Sequence, residues 1–581
     1  MSDVHFRPDF DSPTVFCRLL DKDKGGFFSI CPPSSKPCTT KYIHDDGVVD
    51  LVDFFPRPKT ATVLSKNARQ SSFRETIKIQ EELKKWLVRR VECIRGRLEM
   101  DIEIFPAFQY AAETHVTTII EATHTTGSPS KAVTFHSEHY KMQLDVTVDA
   151  ESDSAPTITF KKEKRDGLLG EGVVAHIEIE EGQAVSFVLR NDIPNHVTEN
   201  ITTAVLDGQQ HDTQSFWYNW ISKSKYKGRW REVVNRSLML LKMMTYEPTG
   251  AIIAAPTFSI PEDIGGVRNW DYRFSWIRDS SFTIYILLRL GFSAEADAYM
   301  DFISERFIKS RGPSGELPIM FTIRGETDIP EIELDHLEGY RGSKPVRVGN
   351  GAAFHQQFDI YGELMDGIYL YNKYGKPISW DQWCSPDMSI WEVRNHKQNF
   401  TYSKIMLWVA FDRGLRLADK RNFPCPNRSK WLTARDNLME EIMDKGYNKE
   451  MKCFIQSYEN STMLDSSILI APLGGLTSTG LVYRYDTELS EDGVGGREGA
   501  FSMCTFWLVE ALTRASAYEP KYLVRAVNLF ENMLSFSNHL LMFSEEIARS
   551  GEQLGNTPQA FSHLALISAA FNLDRVTEVR Q

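Results

Sequence analysis

The pattern of apolar residues changes near residue 210, and this change constrains the fold more than any other feature of the chain. Before it, apolar residues alternate with polar ones or form short β-branched runs, as in 116–120, 144–148, 157–160 and 175–179. Alternation with a period of two, broken by Gly, Pro and Asp, predicts antiparallel strands. We therefore expect a β-sandwich over residues 1–210, with one helical insertion at about 76–98.

After residue 210 the apolar residues recur every three or four positions, which predicts helices. Residues 211–248 are predicted to form a helical linker. Further helices are predicted at 281–290, 294–309, 352–374, 402–419, 429–445, 501–516, 521–536 and 560–573. Their apolar residues occupy more than one face, and the loops between them are rich in Trp, Arg, Asp and Glu. We therefore expect residues 249–581 to form a closed helical toroid with a site on one face.

The composition narrows the class of protein. With 42% hydrophobic and 25% charged residues, the 581-residue chain has the composition of a soluble globular protein. A net charge of −12 argues against general nucleic-acid binding, which requires a basic face. The N-terminal sequence has no signal-peptide pattern and no segment is apolar enough to span a membrane, so we expect a cytoplasmic protein. The eight cysteines lack zinc-site spacing, and we predict neither a metal nor another cofactor.

Two glutamates stand in distinctive local sequences. Glu392 lies in Ser-Ile-Trp-Glu-Val-Arg and Glu552 lies in Ser-Gly-Glu-Gln-Leu-Gly. A pair of carboxyl groups across a sugar pocket is the minimum equipment for hydrolysing a glycosidic bond. One carboxyl protonates the leaving oxygen while the other draws a proton from water. Most single glutamates are solvated surface charges, so this hypothesis requires the fold to bring the two together.

Two loops have compositions that fit ligand binding. Arg268–Asp279 contains three Arg, two Asp, two Trp and a Tyr, a mixture that suits sugar rings and hydroxyls but equally a buried salt-bridge loop. Glu338–Gly351 places several donors before a predicted helix and could bind phosphate, although it lacks P-loop spacing. His396 could face the same cleft as Glu392, although a single histidine is more often structural.

Several motifs together resemble glycoside hydrolase family 15, the glucoamylase and trehalase-like group. Residues 9–16 and 24–26 are similar to its trehalase-like N-terminal domain. The opening of its catalytic domain is similar to 246–251 and 269–273, and its closing motif to 551–554 and 558–563. The resemblance covers most of the chain.

This resemblance implies an inverting, exo-acting hydrolase of α-glucosides, built as a β-supersandwich followed by an (α/α)6 barrel. Carried over by position, Glu392 would be the general acid and Glu552 the general base. Arg278 and Asp279 would hold the non-reducing glucose. Further candidate residues for substrate binding are Trp276, Trp391, Arg347 and Glu498.

Two structural expectations accompany the resemblance. Arg394 should point away from Glu392, because contact between them would favour the ionised form of the acid. Family members usually carry a segment before the Asp11-Ser12-Pro13 stretch that contributes early strands, so we expect either a sandwich that lacks an edge strand or a misassigned start codon.

The sequence leaves the reaction and the substrate open. Related enzymes of this architecture are phosphorylases, which need one catalytic carboxylate because phosphate is the nucleophile. A non-catalytic sugar-binding or regulatory protein on the same fold, or an enzyme acting on a glycosylated small molecule, are further alternatives. Trehalose, maltose-type and isomaltose-type glucosides all remain candidate substrates, and the sequence does not indicate the oligomeric state.

Overall fold

The computed structural model describes residues 9–33, 41–59, 84–150, 155–191, 200–309, 317–371, 389–394, 397–421, 424–470, 480–485 and 492–579. These residues form two compact units. The first runs to Ser222 and includes His336–Glu338, and the second begins at Lys223 and contains the rest of the chain. His396 lies outside the described residues, so its predicted role is not addressed.

The first unit is built from antiparallel strands. In chain order they are β1 (Phe27–Cys31), β2 (Lys41–Ile43), β3 (Gly47–Phe54), β4 (Trp86–Phe105), β5 (His115–Ile119), β6 (Thr123–His124), β7 (Lys131–Ser137), β8 (Lys141–Asp149), β9 (Ile158–Thr159), β10 (Lys161–Glu163), β11 (Gly172–Glu180) and β12 (Ala184–Asn191). Helix α1 (Thr203–Ile221) belongs to the same unit, so the first half of the predicted linker packs with the strands.

The long strand β4 joins two sets of strands. Its first half pairs with β3 and β12, and β12 continues through β8 and β7 to β5. Its second half pairs with β1 and β11. The change of partners falls at Gly96, whose φ of 72° is accessible to glycine at little cost, so the strand can bend there.

Strand β4 corrects the helix predicted at 76–98. Residues 86–98 are extended, and in the second half of the strand Leu98, Met100, Ile102 and Ile104 are buried while Glu99 is exposed. Alternating burial puts these apolar side chains on one face, where they join a core shared by both sets of strands. The helical spacing in the sequence was misleading because the first half of this strand is buried on both faces.

The second unit is largely helical. Its helices are α2 (Arg231–Met243), α3 (Ile277–Leu290), α4 (Ser293–Lys309), α5 (Asp359–Tyr371), α6 (Thr401–Arg421), α7 (Arg428–Glu441), α8 (Ser502–Ala515), α9 (Lys521–Leu534) and α10 (Ala560–Val579). Short turns of other helix types occur at Tyr340–Gly342, Gly351–Phe354, Ile442–Gly446 and Ser466–Ile470. Most predicted helices are confirmed, although the one predicted at 352–374 begins only at Asp359.

The packing order of these helices closes on itself. Helix α3 contacts α5, α5 contacts α6, α8 contacts α10, and α10 contacts α3. The turn Ser466–Ile470 contacts both α6 and α8, so it fills the remaining place. Helices α2, α4, α7 and α9 pack on α10, α3, α6 and α8 respectively. Helix α8 is buried around most of its circumference, as a helix with neighbours on several sides must be.

Short paired strands join the helices of the second unit. They pair Thr245–Tyr246 with Ala251–Ile252, Ser275–Trp276 with Met320–Phe321, Ile332–Glu333 with Arg347–Val348, and Tyr447–Asn448 with Cys453–Phe454. A three-stranded group contains Ala500–Phe501, Glu546–Ile547 and Gln553–Leu554. Several of these strands lead directly into helices α3 and α8, so they fix the loops at the N-terminal ends of those helices.

Candidate active site

A pocket lies at the N-terminal ends of helices α3, α8 and α10. Its walls enclose about 460 Å³, including space open to solvent. Its lining residues are Ala254, Tyr272, Trp276, Arg278, Asp279, Ile390, Trp391, Glu392, Arg484, Phe501, Met503, Glu545, Gln559 and Phe561. The pocket therefore combines aromatic walls with ionisable groups, as the sequence predicted for a sugar site.

Glu392 stands on a strained turn. Both Ser389 and Glu392 have a φ of 63°, a conformation that costs a side-chain-bearing residue roughly 1–3 kcal/mol unless its surroundings enforce it. The backbone N–H of Glu392 donates to the Ser389 carbonyl at 3.2 Å. The Trp276 indole N–H donates to Glu392 Oε1 at 2.9 Å, and Arg278 lies 3.7 Å from the same oxygen. The carboxyl group is thus held at the pocket wall by two side chains of the predicted loop.

Arg394 points away from Glu392, as predicted. Its guanidinium forms an ion pair with Glu331 at 3.0 Å and lies over the Trp270 ring. Its backbone N–H donates to the Asp492 carbonyl at 2.7 Å. The nearest cation to the Glu392 carboxyl among the ion pairs of the described residues is therefore Arg278.

Glu545 is a further carboxyl group of the pocket, and the sequence had not pointed to it. It is almost fully buried, at 3% exposure. The Tyr272 hydroxyl and the Gln559 amide both donate to Glu545 Oε1, at 2.8 and 3.1 Å. Burial raises the pKa of Glu545 well above its usual range and the charge of Glu262 adds to this, while the Tyr272 hydrogen bond opposes it. Glu545 is therefore a stronger base than an exposed glutamate.

The segment that carries Glu545 is fixed by the Pro-Gln-Ala-Phe-Ser-His motif. The Ser562 hydroxyl lies 2.7 Å from Gln559 Oε1 and 3.1 Å from the Ser544 carbonyl oxygen, and it can donate its single proton to either. The bond to Gln559 Oε1 orients the Gln559 amide toward Glu545. The Phe543 N–H donates to His563 Nε2 at 3.2 Å. Burial lowers the pKa of His563 to about 3, so the ring stays neutral and can accept this bond. The motif thus holds the residues directly before Glu545 as well as its carboxyl group.

Two packed aromatic rings connect Glu392 and Glu545. Trp276 bonds to Glu392, Tyr272 bonds to Glu545, and the two rings meet edge to face with centroids 5.5 Å apart. Neither carboxyl group has a hydrogen bond or ion pair to the other. The geometry therefore presents two separated carboxyl groups to one cavity, which is the arrangement that acid–base hydrolysis of a glycoside requires.

Arg278 and Asp279 lie in the first turn of helix α3 and line the same pocket. The Arg278 guanidinium donates to the Ile390 carbonyl at 2.8 Å and lies 3.9 Å from Asp279. Burial raises the pKa of Asp279 to about 6, with Arg278 opposing the shift and Glu392 adding to it. A buried guanidinium and carboxyl side by side can bind neighbouring sugar hydroxyls by charge-assisted hydrogen bonds.

Glu498 lies behind the pocket wall in a buried cluster of charges. Its Oε2 accepts from Arg484 Nε at 2.8 Å and its Oε1 pairs with Arg268 at 2.7 Å. Glu262 lies 3.9 Å from both guanidinium groups, and Asp492 pairs with Arg268. Arg484 lines the pocket but Glu498 does not. The structure thus places Glu498 as the partner of a pocket arginine and not as a wall of the cavity.

This cluster predicts a pH dependence of stability. Burial raises the pKa of Glu262 to about 7, and the charge of Glu498 adds to the shift that Arg484 opposes. Between pH 4.5 and 7 the folded protein keeps this proton while the unfolded chain releases it, so stability falls as pH rises, by about 3 kcal/mol at most. We expect the melting temperature of Glu262→Gln to fall less than that of the parent between pH 5 and 7.5. Parallel melting curves for the two proteins over this range would contradict the assignment.

The structure does not bring Glu552 to the pocket. Glu552 occupies the turn between the paired strands Glu546–Ile547 and Gln553–Leu554, where its side chain is 41% exposed. There it forms an ion pair with Arg341 at 2.7 Å. Glu545 stands at the opposite end of the same hairpin, inside the pocket. The predicted meeting of Glu392 and Glu552 across one cavity is therefore corrected, because the hairpin points the turn residue outward.

Arg347 is also absent from the pocket lining. It forms ion pairs with Glu331 and Glu333, both at 3.4 Å, and lies over the Trp270 ring. Trp276 and Trp391, the other two predicted pocket residues, do line the cavity. The loop Arg268–Asp279 contains both a buried ion pair and pocket residues. Asp271 pairs with Arg273. The pocket residues of this loop are Tyr272, Trp276, Arg278 and Asp279.

Gly555 makes room for the Glu545 carboxyl group. A Cβ atom at Gly555 would lie 2.7 Å from Glu545 Oε2, and its φ of 72° disfavours any side chain. We expect Gly555→Ala to displace Glu545 and lower kcat by about 100-fold. Gly551→Ala is the matched control, because Gly551 also has a positive φ, 85°, but a Cβ there would meet only Phe536 at 3.5 Å. Equal losses of kcat in the two variants, measured at equal folded fraction, would contradict the displacement.

Neither a clustered metal site nor a membrane-spanning helix is found in the described parts of the chain. There, no group of three or more His, Cys, Asp or Glu side chains is arranged to hold a metal ion. Of the helices with described positions, none combines the length and apolar character needed to cross a membrane.

Comparison with known proteins identifies relatives of this chain. The family model described as "Glycosyl hydrolases family 15" matches residues 228–479 and 473–571. A trehalase of Mycolicibacterium smegmatis is 33% identical over 617 residues, covering 98% of this chain and 88% of that protein. A trehalase of Thermoplasma acidophilum is 31% identical, covering 98% of this chain and 96% of that protein.

Among solved structures, a bacterial glucoamylase complexed with acarbose matches with a TM-score of 0.60, over 99% of this chain and 92% of that one. At 12% identity this likeness shows a shared fold alone. Site and comparisons together define the protein as a glycoside hydrolase. The chain belongs to glycosyl hydrolases family 15, which confirms the resemblance seen in the sequence.

Proposed function

We propose that this protein hydrolyses small α-glucosides, with trehalose as the first candidate, by a single inverting displacement. The observation that carries the proposal is the pair Glu392 and Glu545 on one pocket, each held by its own ring of the Trp276–Tyr272 pair. The curated relatives that cover nearly the whole chain are named trehalases, and this supports trehalose over other glucosides.

In this mechanism Glu392 is the general acid and Glu545, in place of Glu552, is the general base. Glu392 gives its proton to the glycosidic oxygen as the bond to C1 stretches. Glu545 takes a proton from a water on the opposite face of the ring, the water oxygen bonds to C1, and β-glucose leaves. For this water to fit, the carboxyl groups should stand roughly 6.5–9.5 Å apart.

The remaining pocket residues orient the sugar. Arg278 and Asp279 bind hydroxyls of the non-reducing glucose, and Arg484 donates to oxygens near the scissile bond. Trp391 and Phe561 cover apolar faces of the rings. Since Arg278 and Asp279 would hold the terminal glucose, we expect the enzyme to act at the end of a glucoside chain and thus to be exo-acting.

The architecture we propose is a β-supersandwich followed by an (α/α)6 barrel. The closed packing order of α3, α5, α6, α8 and α10, with the turn Ser466–Ile470 in the remaining place, supports the barrel. The two strand sets joined by β4 support the sandwich. The cytoplasmic location stays a prediction.

The test is a panel of α-linked glucose disaccharides assayed with and without inorganic phosphate. We expect glucose from trehalose with the highest kcat/KM in the panel, independent of phosphate and without glucose 1-phosphate. A phosphorylase needs only one carboxyl group, so the second one on this pocket favours water as the nucleophile. Release of glucose 1-phosphate that requires added phosphate would overturn the hydrolase proposal.

A further inference from the structure

The indole of Trp391 is anchored by a buried carboxylate outside the pocket. Its N–H donates to Asp465 Oδ1 at 2.8 Å, and both residues are buried. The backbone N–H and hydroxyl of Ser467 donate to the same oxygen at 2.7 and 2.6 Å, and the Gln456 amide donates to Oδ2 at 3.2 Å. Asp465 is therefore held by its own neighbours and offers Trp391 a fixed acceptor.

Trp391 directly precedes Glu392 on the strained turn. The turn contains two side-chain-bearing residues in the left-handed region, Ser389 and Glu392, and such a conformation persists only where its surroundings over-determine it. The Trp391 ring is packed against Phe501 and Trp507, with centroid distances of 6.0 and 6.3 Å. In addition to these ring contacts, the hydrogen bond to Asp465 gives the indole a directional contact that fixes its rotation.

The segment 465–467, which includes Asp465, also holds Arg484. The Ser466 N–H donates to the Arg484 carbonyl at 2.8 Å, and the Arg484 guanidinium lies 5.9 Å from the centroid of the Trp391 ring. Residues 465–467 therefore touch both the arginine that lines the pocket and the tryptophan that precedes the acid.

We propose that Asp465 is a positioning residue that acts through Trp391 to keep the Glu392 carboxyl group aimed at the glycosidic oxygen. This inference rests on the proposed role of Glu392 as the general acid. A positioning role differs from a purely structural one because loss of Asp465 should impair proton donation more than any other part of the reaction.

The test compares trehalose with α-glucosyl fluoride, whose fluoride leaves with little help from an acid. We expect Asp465→Ala to lower kcat on trehalose about 10- to 100-fold with little change in KM, and to spare the fluoride. Asp465→Asn should restore kcat, because the amide oxygen can accept from Trp391 and Ser467 while Gln456 rotates its own amide. Trp391→Phe removes the same bond from the other side and is the second variant if Asp465→Ala does not fold.

Glu531→Ala is the matched control, because Glu531 accepts an indole N–H from Trp230 at 2.8 Å and neither residue lines the pocket. Glu531→Ala should leave the ratio of kcat on trehalose to kcat on α-glucosyl fluoride unchanged. Equal losses on both substrates for Asp465→Ala and Trp391→Phe, or no loss on either, would overturn the positioning role.

Glu392→Gln separates this inference from the proposed function. If Glu392→Gln loses activity on trehalose and keeps activity on α-glucosyl fluoride while Asp465→Ala loses equal activity on both, the positioning role alone fails. If Glu392→Gln hydrolyses trehalose normally, the acid assignment itself fails.

Discussion

Glu545→Ala should lower kcat on trehalose by about 10²–10⁴-fold, the range found for loss of a general base. Without the carboxylate, the water loses the group that accepts its proton in the proposed mechanism. Glu552→Ala should leave kcat close to that of the parent, because Glu552 is exposed and pairs with Arg341 outside the pocket. Steady-state kinetics of the two purified variants, side by side, make this comparison.

Azide adds a second measurement to the Glu545→Ala variant. Azide needs no base, so it should restore glucosyl transfer and yield the β-linked azide, with attack from the face that water normally uses. An α-linked product would contradict inversion. A large loss of kcat in Glu552→Ala, together with a kcat close to that of the parent in Glu545→Ala, would reverse the assignment of the base.

Glu545 also predicts the pH profile. Because burial raises the pKa of this carboxyl group, the acidic limb of kcat/KM should lie above the range of an exposed glutamate. The base works only when ionised, so activity is lost as pH falls through this limb.

Glu392→Gln should lower kcat on trehalose by about 10²–10⁴-fold as well, because glutamine cannot donate a proton to the leaving oxygen. The fold should persist, since the glutamine oxygen can still accept the Trp276 hydrogen bond. Measurement of kcat on trehalose and of the melting temperature checks both statements. Near-normal trehalose hydrolysis by Glu392→Gln would refute its role as the acid.

The helical half of the chain was predictable because its helices carry apolar residues at helical spacing over many turns. The predictions at 402–419 and 521–536 agree with α6 and α9 to within two residues at each end. The helix predicted at 76–98 failed where it overlaps β4, because Val88 and Val91 are both buried and the expected alternation is lost there. Periodicity alone cannot identify a strand that is covered on both faces.

The position of Glu392 in the pocket was predictable from the sequence, and that of Glu545 was not. Glu392 and its supporting loop lie next to each other in the pocket, as their aromatic and charged composition indicated. For the base, a motif match selected Glu552, while Glu545 lies seven positions earlier on the same hairpin. The signal that could have identified it is the pair Glu545–Glu546 between apolar residues, since adjacent acids in an apolar strand must have buried partners.

Arg484 carried no local signal in the sequence. Its place on the pocket wall depends on ion pairs with Glu498 and Glu262, which come from two different loops. Pairings of this kind arise only once the helices have packed, so a single sequence does not reveal them.

The most direct measurement of the central claim is the anomeric form of the glucose first released from trehalose, followed by proton NMR before mutarotation. An inverting attack produces one β-glucose from the ring bonded by water and one α-glucose from the leaving ring, so equal amounts of the two anomers should appear at the start. If only α-glucose appears at the start, the reaction retains configuration, and Glu545 does not activate water across the ring from Glu392.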